Sequence, residues 1–132
     1  MSPKISFVVP YYKKDKSLAR CLRSLFKQSV QDIEVIVVLD GEDPQGLRIA
    51  RKFKKVRVLT IPHGGASAAR NAGAAVATGQ FISFWDADCY IEPGAAMVWL
   101  QAFDKYPEVD FVYSGYRFPE GRGGLPSEPF DP

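Results

Sequence analysis

The segment Ile33-Glu34-Val35-Ile36-Val37-Val38-Leu39 is apolar at every position but one, and mostly β-branched. A strand with water on one face alternates apolar and polar residues. A run without that alternation is a strand covered on both faces, which implies a parallel sheet flanked by helices. Parallel neighbours need long crossovers, so the rest of the chain must supply helices between further strands. Residues 5–9 read as a strand closed by Pro10. Leu18, Cys21, Leu22, Leu25 and Phe26 recur at helical spacing within 17–27, with Ser17 or Asp15 available as the cap. Residues 44–54 read as a short helix, 56–61 as a strand broken at Pro62, 65–78 as an alanine-rich helix ended by Gly79, and 81–85 as a strand. Pro93 suits the first turn of a helix with Met97, Leu100 and Phe103 inward, ended by Pro107, and 111–116 reads as a last edge strand. The alternation predicts an α/β fold with an open, mostly parallel sheet, helices on both faces and right-handed crossovers.

A chain of 132 residues with 46% hydrophobic residues can bury one core. Its net charge of +2, from 17 basic and 15 acidic residues, is too balanced for a nucleic-acid surface. Basic residues gather over 48–57, expected to be a solvated face, and at Lys13, Lys14 and Lys16, which follow a strand directly and could help hold phosphates. Two cysteines and one histidine, His63, exclude a disulfide framework and a structural zinc site. Cys21 is expected to be a small core residue. The apolar run 5–9 is too short for a signal peptide and no segment reaches membrane-spanning length. The expectation is a cytoplasmic setting, with peripheral attachment at the inner membrane face open to a longer form. Residues 119–132 carry Gly121, Gly123, Gly124 and four prolines. They read as a loop or disordered tail after a domain spanning 1–118.

Ligands of open α/β sheets bind beyond the carboxyl ends of the strands. Four such ends carry Pro10-Tyr11-Tyr12, Asp40-Gly41, Pro62-His63-Gly64-Gly65 and Asp86-Ala87-Asp88. Side chains two apart leave a strand on the same side, so Asp86 and Asp88 enter one small volume and repel unless a cation joins them. A hard divalent ion would do so and could also bind a nucleotide diphosphate. The plainer reading is a polar turn, since aspartate is common there. No Gly-x-x-x-x-Gly-Lys-Ser/Thr sequence is present, and the first strand leads into Pro10-Tyr11-Tyr12 where a dinucleotide fold needs a glycine-rich turn.

Five blocks carry a resemblance. They are Ser6-Phe7-Val8-Val9-Pro10-Tyr11-Tyr12; Leu22-x-x-Leu25-x-x-Gln28 with Ser24 between; Glu34-Val35-Ile36-Val37-Val38-Leu39-Asp40-Gly41; Gly65-Ala66-Ser67-Ala68-Ala69-Arg70-Asn71-x-Gly73; and Ala77-x-Gly79-x-Phe81-Ile82-x-Phe84-x-Asp86-Ala87-Asp88. In this order they resemble family 2 glycosyltransferases of the GT-A fold. The resemblance implies a nucleotide-diphospho-sugar donor, often a UDP-sugar, bound with Mg²⁺ or Mn²⁺ for inverting transfer. It implies that Pro10 and Tyr11 wall the base, Asp40 accepts a hydrogen bond from uracil, and Arg70 lies against the nucleotide or its phosphates. Asp86 would reach the ribose or the metal, and Asp88 would be the most direct metal ligand.

Leu39 stands where the family has a further acidic residue, and Cys89 where an acidic or polar one often follows the aspartates; Cys89 is expected to be a buried thiol. Arg70 has an alternative role, holding a helix to a neighbouring carboxylate. The family continues beyond this length with the acceptor pocket and the catalytic base, and Glu120, Glu128 and Asp131 are poor candidates for that base. The expectation is therefore a donor-binding half with weak or absent transfer alone, its sugar and acceptor not legible. The alternatives are a non-catalytic binding or assembly module, self-associating through an exposed sheet edge after Tyr116, and a nucleotidyltransferase.

Overall fold

Phe7, Val8, Val9 and every residue from Val35 to Val38 are 0% exposed, which is why these runs show no alternation. The computed structural model describes residues 3–118, 123 and 124. Strands β1 (Ile5–Tyr11), β2 (Ile33–Asp40), β3 (Val56–Ile61) and β4 (Phe81–Phe84) form an all-parallel sheet in the order β3-β2-β1-β4. The crossovers are α1 (Asp15–Phe26), α2 (Pro44–Ala50) and α3 (Ala66–Val76). A Cβ added at Gly46 of α2 would lie 2.4 Å from Tyr11, and one added at Gly73 of α3 would lie 2.3 Å from Val8. Tyr11 and Val8 are an odd number of residues apart on one strand, so α2 and α3 cover opposite faces. Under α3 the core joins Val8, Ile36, Val38 and Ala69, with Leu59, Ile61 and Ala72 packed against it. Each fully buried valine or isoleucine there contributes about 2 kcal/mol. Helix α1 lies beside α2, and Phe26 stacks on Phe53 just beyond α2 at 6.0 Å.

Strand β1 runs through Pro10 to Tyr11 instead of closing at Pro10. The Val8 carbonyl accepts from Trp85 N at 2.9 Å, so Val8 turns its polar groups toward β4. Pro10, two residues on, turns the same way, but β4 has already ended at Phe84, and its missing N–H breaks no ladder bond. Helix α1 starts at Asp15 after an N-cap at Lys14, and Ser17, expected as a cap, lies inside it with Oγ donating to the Lys14 carbonyl at 3.0 Å. Helix α2 ends at Ala50, short of residue 54, with Asp43 as its N-cap accepting from Gly46 N at 2.8 Å.

The chain divides into two compact units at Met97/Val98. Helix α4 (Ala95–Lys105) begins with Ala96 as its buried residue. Met97, about 100° further round the helix, is 40% exposed and not inward as its spacing suggests. The strand expected over 111–116 does not form over 111–115. In its place β5 (Tyr116–Arg117) pairs antiparallel with β6 (Gly123–Gly124). The alternating aromatics of this stretch meet one another, Phe111 with Tyr113 and Tyr116 edge-on with Phe118, and do not form a buried face. The edge strands of the parallel sheet are β3 and β4, not the segment before Tyr116. Of the expected tail, only 123 and 124 fall within the described residues. Among those residues no helix is long and apolar enough to cross a membrane.

A polar latch closes the end of the sheet away from the ligand-ready loops. Ser6 Oγ donates to Glu34 Oε2 at 2.5 Å and accepts from Gly79 N at 2.8 Å, while Thr78 N donates to the same Glu34 oxygen at 2.9 Å. Burial pushes the Glu34 carboxyl up, but the bonds from Ser6 and Thr78 and the Arg57 charge outweigh it and hold it below its ordinary 4.5. A depressed carboxylate contributes stability that is complete above its ordinary value and disappears as pH falls through the lower folded value. Urea midpoints followed from about pH 6 to about pH 3 should fall, and Glu34→Gln should fall less steeply. Equal slopes for the two proteins would rule the latch out as a source of the acid sensitivity.

Candidate functional site

Asp40, the last residue of β2, is 5% exposed, and its carboxylate organises the loop before α3. Oδ1 accepts from Gly64 N at 2.7 Å, Oδ2 accepts from Gly65 N at 3.0 Å, and His63 Nδ1 lies 3.0 Å from Oδ2. A carboxylate only accepts, so Nδ1 donates in this contact. The Gly64 amide, opposed by burial and aided by Gly65 and His63, holds the Asp40 carboxyl below its ordinary 3.8. Gly41 at φ 105° and Gly65 at φ 94° supply the left-handed turns this arrangement needs. His63 stacks on Tyr12 at 4.5 Å and 19°, and Lys13 Nζ lies 5.2 Å over the same ring. Together with Tyr11, Gly41, Glu42 and Asp43 these residues line a cleft of about 280 Å³.

The second group of residues stands at the end of β4. Cys89 N donates to the Asp86 carbonyl at 3.0 Å, closing a turn that presents both aspartates. Each carboxylate meets one cation: Arg70 of α3 reaches Asp86 Oδ1 at 2.9 Å, and Lys14 reaches Asp88 Oδ2 at 3.1 Å. The bond from Lys14, against burial, holds the Asp88 carboxyl below its ordinary value. Oxygens of Asp86 and Asp88 and the Cys89 sulfur lie within 4.8 Å of one another. The two carboxylates suit a hard divalent ion. Cys89 does not: the residue is exposed, not buried as expected, yet partial desolvation of its thiol, together with the Asp88 and Asp86 charges, pushes the thiol up, so the soft thiolate is scarce. Cys21 is the core residue its position suggests, with its thiol pushed up to about 12, chiefly by burial, and Sγ 3.7 Å from the Asp86 carbonyl.

All the sequence-derived candidates thus lie at the carboxyl ends of β1, β2 and β4 and at the start of α3, near the β1–β4 boundary where the strand order reverses. Two refinements emerge. Tyr11 lines the cleft but is 1% exposed, so the accessible ring there is that of Tyr12. His63 and Lys14 make direct contacts with candidate residues, yet sequence reasoning carried them only as part of a strand-end group and a basic cluster.

Comparison with known proteins decides the family. Residues 6–128 match the family described as Glycosyl transferase family 2. The chain belongs to that family. Among its relatives, chondroitin synthase of Pasteurella multocida is 32% identical over 127 residues, covering 93% of this chain and 13% of the synthase. Residues 1–349 of TarS from S. aureus, crystallised with UDP, superpose with a TM-score of 0.74 at 31% identity, covering 79% of this chain and 33% of that one. The mannosyltransferase PcManGT from Pyrobaculum calidifontis, solved with GDP-Man and Mn²⁺, shares the fold at a TM-score of 0.63 and 20% identity. The family 2 chain therefore has a GT-A fold and spans a minor part of these relatives' length.

Proposed function

We propose that this chain is the donor-binding part of an inverting glycosyltransferase, taking a nucleotide-diphospho-sugar, foremost a UDP-sugar, with Mg²⁺ or Mn²⁺. The observation that carries the reading is the convergence of Asp86 and Asp88 with Arg70 and Lys14 at one strand end, beside a cleft walled by Tyr12, Asp40 and His63. The cleft is the place for the base, backed by Pro10 and Tyr11. Asp40 Oδ1 already accepts one amide proton and keeps acceptor capacity for one more, as recognition of a uracil N–H requires. Asp86 and Asp88 would hold the divalent ion, which would stabilise charge on the departing diphosphate. Arg70 lies within reach of the same phosphates once Asp86 is shared. The UDP complex of TarS supports the uridine assignment.

Inverting transfer also needs a base within hydrogen-bond reach of the acceptor oxygen. Glu120, Glu128 and Asp131 lie outside the described residues. Because the chain spans a minor part of its relatives' length, we include in the proposal weak or absent transfer by these 132 residues on their own, and robust transfer by the purified chain would overturn that part.

Thermal melting with UDP, GDP or CDP, each with and without Mn²⁺, tests the donor reading. UDP with Mn²⁺ should raise the midpoint more than either alone, and Asp88→Ala should remove the metal-dependent part. A chain indifferent to every nucleotide would instead support a non-catalytic module. A preference for nucleoside triphosphates would support a nucleotidyltransferase.

A further inference from the structure

Lys14 is poorly suited to its local position. It is the N-cap of α1, and its side chain makes no capping bond. N-caps favour Ser, Thr, Asp and Asn, whose oxygens accept from the first helical amides, and a cation there faces the positive end of the helix dipole. The preceding residue, Lys13, has φ 51° and is the non-glycine residue in the left-handed region among those described. That conformation is disfavoured for a residue with a side chain. Two local preferences are broken in succession at the end of β1. Such breaches concentrate at functional positions, and here the result is visible: the turn carries the Lys14 ammonium to Asp88 across 74 residues of sequence.

The contact leaves the aspartate pair already neutralised, Asp86 by Arg70 and Asp88 by Lys14. We propose that Lys14 is an exchangeable counter-ion, which holds Asp88 while the donor site is empty and transfers to the diphosphate when a divalent ion takes Asp88. This rests on the reading of Asp86 and Asp88 as metal ligands. A metal ion arriving alone must displace an ammonium and then sit beside it, so it binds weakly. Arriving with a diphosphate, it displaces Lys14 onto an anion, and the two ligands bind cooperatively. The exchange is feasible because the side chains of the pair are 54% and 49% exposed. Exposed pairs of this kind alter an equilibrium by about fivefold at most.

The test is Mn²⁺ uptake by the full chain, read from the paramagnetic resonance signal of free ion, with and without UDP, for wild type, Lys14→Met, Lys14→Arg and Lys16→Met. Thermal melts check that each variant is folded. Lys14→Met should bind Mn²⁺ alone about three- to fivefold more tightly than wild type and show a smaller gain on adding UDP. Lys14→Arg should behave like wild type, and Lys16→Met, which removes the same charge from the first turn of α1, should not reproduce the effect. If Lys14→Met leaves both quantities unchanged, or Lys16→Met matches it, the exchange is overturned while the metal reading stands. If wild type takes up no Mn²⁺ even with UDP, the metal reading fails and the role of Lys14 fails with it.

Discussion

Gly73→Leu should destabilise the chain by about 3 kcal/mol, lowering the thermal midpoint by about 10 °C for a domain of this size. A Cβ at position 73 would sit 2.3 Å from Val8 Cγ1 and 3.1 Å from Val38 Cγ2. Both valines are 0% exposed in the two central strands, and a β-branched side chain in a packed interior has no alternative rotamer to retreat into. Helix α3 would have to lift off the sheet. Leucine is a strong helix former, so the loss isolates packing from propensity. Gly73→Ala sets about 1 kcal/mol of gained helix propensity against the smaller overlap, and a net loss of about 1 kcal/mol is expected. The close seat also matters for the site, because Arg70 lies one turn before Gly73 and reaches Asp86 only from a helix held at this distance. An unchanged midpoint for Gly73→Leu would mean that α3 does not rest on Val8.

The fold was legible where two-sided burial removes alternation, as over 33–39, and where a proline bounds a half-exposed run, as after 56–61. Residues 33–39 announce a central strand, and residues 56–61 became β3 with the expected bounds, because Pro62 ends the run in sequence and in space. Residues 111–116 misled because alternating aromatics satisfy a period of two equally well when rings contact one another at the surface. Met97 misled because helical spacing fixes a stripe but not which stripe is buried, and Ala96 took the inward position. At the candidate site, Asp86 and Asp88 come within 4.8 Å of one another as expected, but in a turn beyond β4 and not through strand alternation. Their partners were readable only in part: Arg70 holds α3 to a neighbouring carboxylate, as its alternative role had it, whereas Lys14 reaches Asp88 from 74 residues away. No local pattern encodes such a pairing. The contact between His63 and Asp40 was closer to readable: a lone histidine before two glycines at a strand end was there to be matched to a carboxylate on the neighbouring strand.

Asp40→Ala should lower stability by about 3 kcal/mol and dismantle the cleft. The buried carboxylate accepts from two backbone amides and faces His63, and bonds to a charged acceptor are stronger than neutral ones. Without it, Gly64 and Gly65 lose their common acceptor and His63 loses the contact that holds it against Tyr12. Hydrogen exchange at the Gly64 and Gly65 amides should accelerate beyond what the global stability loss explains. Asp40→Asn should fall between the two proteins, since its carbonyl oxygen still accepts while its amide group confronts another donor. The wild-type advantage depends on pH in a fixed direction. The Asp40 carboxyl is held below its ordinary 3.8, so the advantage is complete above that value and shrinks as pH falls through the lower folded one. Undisturbed protection at Gly64 and Gly65 in Asp40→Ala would show that the loop stands without the carboxylate, leaving Asp40 with no task in the empty protein and its whole acceptor capacity for a bound base.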